Sequence, residues 1–204
     1  VDVPSDGLRL EFNPTDDDRK EADNILNPLS GRSIVTLSPV SRREFNRWPL
    51  ENYARLGKLL SSEFNFAIVI LTGPGEEQVA HDLAKLMVEV EALVPRIDRL
   101  GLLGAIFERA NLHLGNDNGP KHIAVACGAP TFTIYGPHNP VSWTYPDLSR
   151  HQCIQPADVD VECRRLNHKC DKYCIHKITV DHVWEKLKQM AASLRLSESP
   201  LRAR

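Results

Sequence analysis

The stretch Leu112-His113-Leu114-Gly115-Asn116-Asp117-Asn118-Gly119-Pro120-Lys121-His122-Ile123-Ala124 decides how the chain is read. An apolar run breaks off into a small polar turn. Pro120 then opens a helix, because proline is pre-set for a first helical position and lacks an amide that would go unpaired there. Strand, turn and helix in that order make an anion site: the first helical amides have no intrahelical partner, and the helix dipole adds positive potential. Lys121 and His122 bring side-chain donors to it. Asp117 would repel a phosphate, so it is expected to accept from ligand hydroxyls or to brace the turn. A second reading stays open, in which Asp117 and Asn118 only cap a helix.

Outward from this stretch the same alternation recurs. Ile34 to Leu37 reads as a strand, and a helix runs from Pro49 to about Ser61 with Leu50, Tyr53, Leu56, Gly57 and Leu60 on one face. Phe66 to Leu71 is a continuous apolar strand, followed by a helix over Glu76 to Val88. A short strand near Leu93 to Ile97 is interrupted by Pro95. Then come a helix over Leu100 to Ala110, the strand Leu112 to Gly115, a helix over Pro120 to Cys127 and a strand over Pro130 to Tyr135. Unbroken apolar strands separated by helices of ten to fifteen residues are what a parallel sheet covered on both faces produces. The expected class is α/β, a doubly wound parallel sheet of Rossmann-like type, with ligands bound beyond the carboxyl ends of the strands.

The flanks are less regular. Val1 to Pro28 is polar, and the acidic run Asp16-Asp17-Asp18 suits a helix start, so residues 1–30 read as a linker or peripheral helix rather than core. Residues 31–195 are expected to form the binding domain and 196–204 a flexible tail. Within the domain, Gln152 to Lys177 is polar and cysteine-rich, and Thr179 to Leu196 reads as an amphipathic terminal helix.

Composition narrows the function classes. A chain of 204 residues, 42% hydrophobic and 25% charged, suits one ordinary core with extensions and contains no apolar run long enough to span a membrane. With 25 basic and 27 acidic side chains it has no bulk positive field for nucleic acid, so an anionic ligand must be held by local geometry. Five cysteines are an odd count for a disulfide framework and favour a reducing cytoplasm. A start at Val1 with no signal-like segment suggests trimming or an excised fragment.

Three more loops fall at strand ends. Ser38 to Pro49 carries Ser41, Arg43 and Arg47, whose hydroxyl and guanidinium groups suit a diphosphate, although a charge cluster taken alone is more often a solvated surface. Trp48 is expected to pack on the sheet. Thr72-Gly73-Pro74-Gly75-Glu76-Glu77 lacks the third glycine of a dinucleotide fingerprint; Glu76 suits ribose hydroxyls or a helix N-terminus. Tyr135-Gly136-Pro137-His138-Asn139-Pro140 is expected to shape the rim. Cys163, Cys170 and Cys174 with His168, and His176 close by, have enough ligands for zinc but not the paired spacing of common structural sites, and reduced thiols are the alternative. Asp158-Val159-Asp160 and the Asp16 to Asp18 run match the Asp-x-Asp of metal-dependent transferases, but read as solvated loop and helix start.

Together, Gly115-Asn116-Asp117-Asn118-Gly119-Pro120-Lys121-His122-Ile123-Ala124, Gly128-Ala129-Pro130, Tyr135-Gly136-Pro137, Arg47-Trp48-Pro49 and Gly73-Pro74-Gly75-Glu76 resemble the C-terminal, donor-binding domain of the lipopolysaccharide heptosyltransferases, glycosyltransferase family nine with a GT-B fold. The resemblance runs from about Asp18 to Met190. It implies a domain that binds an ADP-heptose-type nucleotide sugar for transfer to the lipopolysaccharide core, at the cytoplasmic face of the inner membrane, with inversion and without a required cofactor or metal. By position, Asp117, Asn118, Gly119 and His122 match the segment that contacts sugar and diphosphate, Ser41 a hydroxyl near the phosphates, and Glu76 an acid toward the ribose. Many members carry Lys where this chain has Asn46, which leaves the diphosphate charge to Arg43, Arg47 or Lys121. The catalytic base and the acceptor surface belong to an N-terminal domain outside these residues, so the chain alone is expected to bind donor without appreciable turnover. The alternatives are a stand-alone nucleotide-binding module and a transferase for another nucleotide sugar.

Overall fold

Successive side chains of a strand point to opposite faces, and here both faces are apolar. Val35 and Leu37 pack to one side and Ile34 to the other; Ile68 and Ile70 face one side, Ala67 and Val69 the other. Such strands are stable only when covered twice. The computed structural model describes residues 10–136, 143–155 and 174–194, and among them it has that architecture.

Six parallel strands, β1 (Ile34–Ser38), β2 (Ala67–Ile70), β3 (Ala92–Leu93), β4 (Leu112–Asn116), β5 (Thr131–Ile134) and β6 (His151–Ile154), lie in the order β3-β2-β1-β4-β5-β6. Helices α2 (Leu50–Phe64), α3 (Glu77–Leu86) and α6 (Val180–Leu194) bury Tyr53, Leu56, Leu83, Leu187 and Met190 on one face. On the other, α1 (Asp16–Leu26), α4 (Leu100–Arg109) and α5 (Gly119–Ala126) bury Ala22, Leu26, Leu102, Phe107 and Ala124. The strand order reverses between β1 and β4, whose following helices α2 and α5 lie on opposite faces of the sheet, and this is the place where open α/β sheets form a ligand crevice.

Three features differ from the sequence reading. Residues 1–30 were expected outside the core, yet Ala22, Leu26 and Leu29 are buried in it. Charge holds α1 there: Arg99 bridges Asp18 and Glu21, Arg19 pairs with Glu108 at 2.8 Å, and Arg109 with Asp23 at 2.7 Å. The acidic helix start is as expected, with Thr15 and Asp18 forming a capping box. Second, the strand near Leu93 to Ile97 shrinks to Ala92–Leu93, because Pro95 cannot continue a ladder. Third, β6 runs from His151 into the polar stretch that begins at Gln152; it pairs with β5 through Thr131 and His151 to Ile134 and Ile154.

Candidate functional site

The β1–α2 loop and the turn after β4 flank the crevice and are stitched together. Ser41 Oγ donates to the Asp117 carbonyl at 3.3 Å, and Asn118 Nδ2 donates to the Val40 carbonyl at 2.9 Å. Behind them Asn116, fully buried, accepts on one atom from the Trp48 amide at 3.3 Å and from the Tyr53 hydroxyl at 3.1 Å. Trp48 packs edge-on against Tyr53, and its Nε1 donates to the Ile178 carbonyl at 2.8 Å. It supports the loop from below, as expected of a residue packed on the sheet.

The anion site is narrower than the sequence implied. Helix α5 begins at Gly119, one residue before Pro120, and Asn118 is its N-cap, accepting from the Lys121 amide at 3.3 Å. Pro120 has no amide. The exposed Gly119 amide, at the first helical position, therefore carries most of what this helix start presents to a ligand.

Lys121 departs furthest from expectation. Its side chain is only 2% exposed, and its ammonium donates to Asp117 Oδ1 at 2.6 Å, the Tyr135 hydroxyl at 2.9 Å and the Trp143 carbonyl at 2.8 Å. Those bonds use all three of its protons, so none remains for a phosphate. Burial lowers its pKa, and the Asp117 carboxylate opposes that shift. Asp117 accordingly takes its bracing role toward Lys121, with part of its surface still open.

The ring of His122 is half-buried, and its Nδ1 is hydrogen-bonded to the Tyr145 hydroxyl. Burial lowers the His122 pKa and raises that of Tyr145, so the pair is neutral at pH 7. The tautomer in which the phenol donates leaves Nε2–H as the ring's donor. Arg47 is half-buried, and its Nε donates to the Ser41 carbonyl at 2.8 Å. Its terminal nitrogens have no partner among the described residues and remain a guanidinium fork beside the stitched loops. The guanidinium of Arg43 lies 5.9 Å from the Phe45 ring centroid. Glu76 turns onto its own loop, accepting from the Gly73 amide at 3.1 Å.

Ser41, Arg47, Asp117, Asn118, Lys121 and His122 thus share one constellation, while Glu76 stays in the neighbouring loop. Asn116, Tyr135, Trp143 and Tyr145 hold that constellation together without having been singled out by sequence. The i, i+4 spacing of Asp117 and Lys121 was the visible hint of their pairing. Asn46 is buried, and its Oδ1 has no hydrogen-bond partner.

Of the zinc candidates, Cys163, His168 and Cys170 lie outside the described residues, as does Asp158-Val159-Asp160; Cys174 is buried. Among the described residues no cluster of three or more His, Cys, Asp or Glu is placed to hold a metal, and no helix is long and apolar enough to cross a membrane.

A doubly wound parallel sheet with a capped helix start, Arg47 and Asp117 gathered where the strand order reverses defines an α/β protein of Rossmann-like type. The chain belongs to glycosyltransferase family 9 (heptosyltransferase), whose model matches residues 1–174. It is 26% identical over 143 residues to the lipopolysaccharide core heptosyltransferase OpsX of Haemophilus influenzae, covering 69% of this chain and 40% of that protein. It is also 26% identical over 117 residues to lipopolysaccharide heptosyltransferase 3 of Escherichia coli, covering 55% of this chain and 34% of that one. The chain spans less than half the length of these relatives. Among solved structures, a family 9 glycosyl transferase from Veillonella parvula superposes with a TM-score of 0.72 at 22% identity, over 94% of this chain and 55% of that one. The E. coli ADP-heptose lps heptosyltransferase II does so with a TM-score of 0.68 at 18% identity, over 97% and 57%. The fold corresponds to one half of these two-domain GT-B chains.

Proposed function

We propose that this chain is the donor-binding half of an inverting heptosyltransferase, holding an ADP-heptose-type nucleotide sugar in the crevice between β1 and β4. The observation that carries this reading is the stitched pair of strand-end loops, which brings the exposed Gly119 amide, the Arg47 fork and the Asp117 carboxylate to the point where the strand order reverses. Family membership supports it, as does the likeness in fold to an E. coli heptosyltransferase WaaC solved with ADP, at a TM-score of 0.59.

In this reading the helix start and Arg47 face the diphosphate, the His122 Nε2–H adds a neutral donor, and Asp117 and Asn118 meet the sugar hydroxyls. Ser41 and Asn118 keep the two loops in register. An acceptor hydroxyl of the lipopolysaccharide core, presented by a separate N-terminal domain and relieved of its proton by a carboxylate there, attacks the anomeric carbon. The bond from that carbon to the diphosphate breaks with inversion, and the donors on this chain stabilise the departing ADP. The step needs no metal or cofactor and takes place at the cytoplasmic face of the inner membrane.

Titration calorimetry tests donor binding. ADP and ADP-heptose should bind the isolated chain, without appreciable turnover, and more tightly than UDP- or GDP-sugars. No heat of binding from either adenine ligand at millimolar concentration would reject the proposal.

A further inference from the structure

A carboxylate beside an intended diphosphate site is an electrostatic liability. Asp117 stands two residues before the exposed Gly119 amide, and as a bare anion it would repel the phosphates that this helix start attracts. The chain buries a lysine against it. Lys121 Nζ lies 2.6 Å from Asp117 Oδ1, and its remaining protons go to the Tyr135 hydroxyl and the Trp143 carbonyl. Tyr135 also donates to that carbonyl, at 3.0 Å, so the ring of bonds closes on itself. An ammonium so enclosed is held in one geometry, and an apolar side chain would fill the same space without the cost of desolvating a charge.

We propose that Lys121 is a positioning residue for the donor: an internal counter-ion that neutralises Asp117, so that a carboxylate can hold the sugar hydroxyls of a nucleotide sugar without repelling its diphosphate. This rests on the donor-binding reading above. Lys121 touches neither phosphate nor sugar and acts through Asp117. The pairing leaves the Asp117 side chain partly exposed, at 14%, enough to accept from a ligand while its charge is offset from within.

Calorimetry on the full chain with ADP and ADP-heptose separates this role from simple packing. Lys121→Met keeps the length and apolar stem but exposes the ligand to an uncompensated Asp117; it should weaken ADP by about tenfold or more, the scale of an unpaired charge in a medium of intermediate dielectric. Adding Asp117→Asn removes that charge, and the double variant should recover ADP affinity to within about threefold of the starting protein while losing the advantage of ADP-heptose over ADP. The single variant Asp117→Asn, which does not depend on the folding of Lys121→Met, should bind ADP at least as tightly as the starting protein and also lose the sugar's advantage.

Unchanged ADP affinity in Lys121→Met overturns the inference. So does a double variant as weak as Lys121→Met, which is the signature of lost packing, or an Asp117→Asn protein that binds ADP more weakly than the starting chain. Failure of the unmodified chain to bind either ligand rejects the donor-binding reading itself, and is thereby distinguished from failure of the counter-ion.

Discussion

The hydroxyl of Tyr53, on α2, donates to Oδ1 of Asn116, the last residue of β4, at 3.1 Å in a fully buried setting. The Trp48 amide converges on the same oxygen. Asn116→Leu would strand both donors, and each buried unsatisfied group costs about 1–3 kcal/mol. Urea unfolding should show a loss of about 2–4 kcal/mol for Asn116→Leu. Tyr53→Phe, which leaves Oδ1 its Trp48 partner, should lose only about 1 kcal/mol.

Gly115 pairs with Ser38 at the carboxyl ends of β4 and β1. A Cβ there would come 2.8 Å from the Ser38 carbonyl oxygen, a backbone atom of the neighbouring strand that cannot swing aside. Gly115→Ala should therefore destabilise the chain by about 1–3 kcal/mol, as overpacking does. By parting the two strand ends it should also weaken ADP. A lowered thermal midpoint together with a weaker ADP titration is the expected result.

Asn118 caps α5 with one end of its amide and holds the Val40 carbonyl with the other. Asn118→Ala should cost about 1 kcal/mol of stability for the cap, while Asn118→Asp keeps the cap and loses the donor to Val40. Both lose the stitch between the loops and should bind ADP more weakly than the starting chain, Asn118→Asp the more so because it adds a negative charge beside the helix start.

His113 is buried beneath the crevice, where Nδ1 meets Thr36 Oγ1 at 3.0 Å and the ring stacks edge-on against Phe107. Burial, helped by the Lys121 charge, pushes its pKa down to about 3. The native state therefore holds this imidazole neutral, whereas the unfolded chain protonates it near the ordinary 6.5. The unfolded state binds more protons between these values, so the contribution of His113 is full above about pH 6.5 and falls with pH by up to ~1.4 kcal/mol per unit toward pH 3. His113→Leu should flatten that slope, leaving the smaller part due to His122 and His151, which burial also depresses. Unfolding free energies between pH 4 and 7 check it.

The sheet was legible because its signal is local and repeated. Runs such as Phe66 to Leu71 are apolar on every residue, and only a doubly covered parallel sheet makes use of that. The strand, turn and helix around Gly115 to Ala124 were legible for the same reason. β6 was not, since His151 and Gln152 carry no apolar alternation and the strand exists by pairing with β5. Nor was the place of α1, whose Ala22 and Leu26 are few among polar neighbours until Arg99 and Arg109 bring them onto the sheet. At the site, the sequence showed Lys121 as a basic residue near a helix start. Its burial depends on Tyr135 and Trp143, 14 and 22 residues further on, which no local pattern relates to it.

Trp48 hangs its indole on the carbonyl of Ile178, a partner 130 residues downstream. During synthesis the first strand and its loop emerge long before that anchor exists, and the cleft takes its final shape only after the closing helix has swung back beneath it. Ligand capture is therefore an assay of completed folding: a chain arrested short of Ile178 can present every loop residue of the crevice and still lack the peg that keeps them in register.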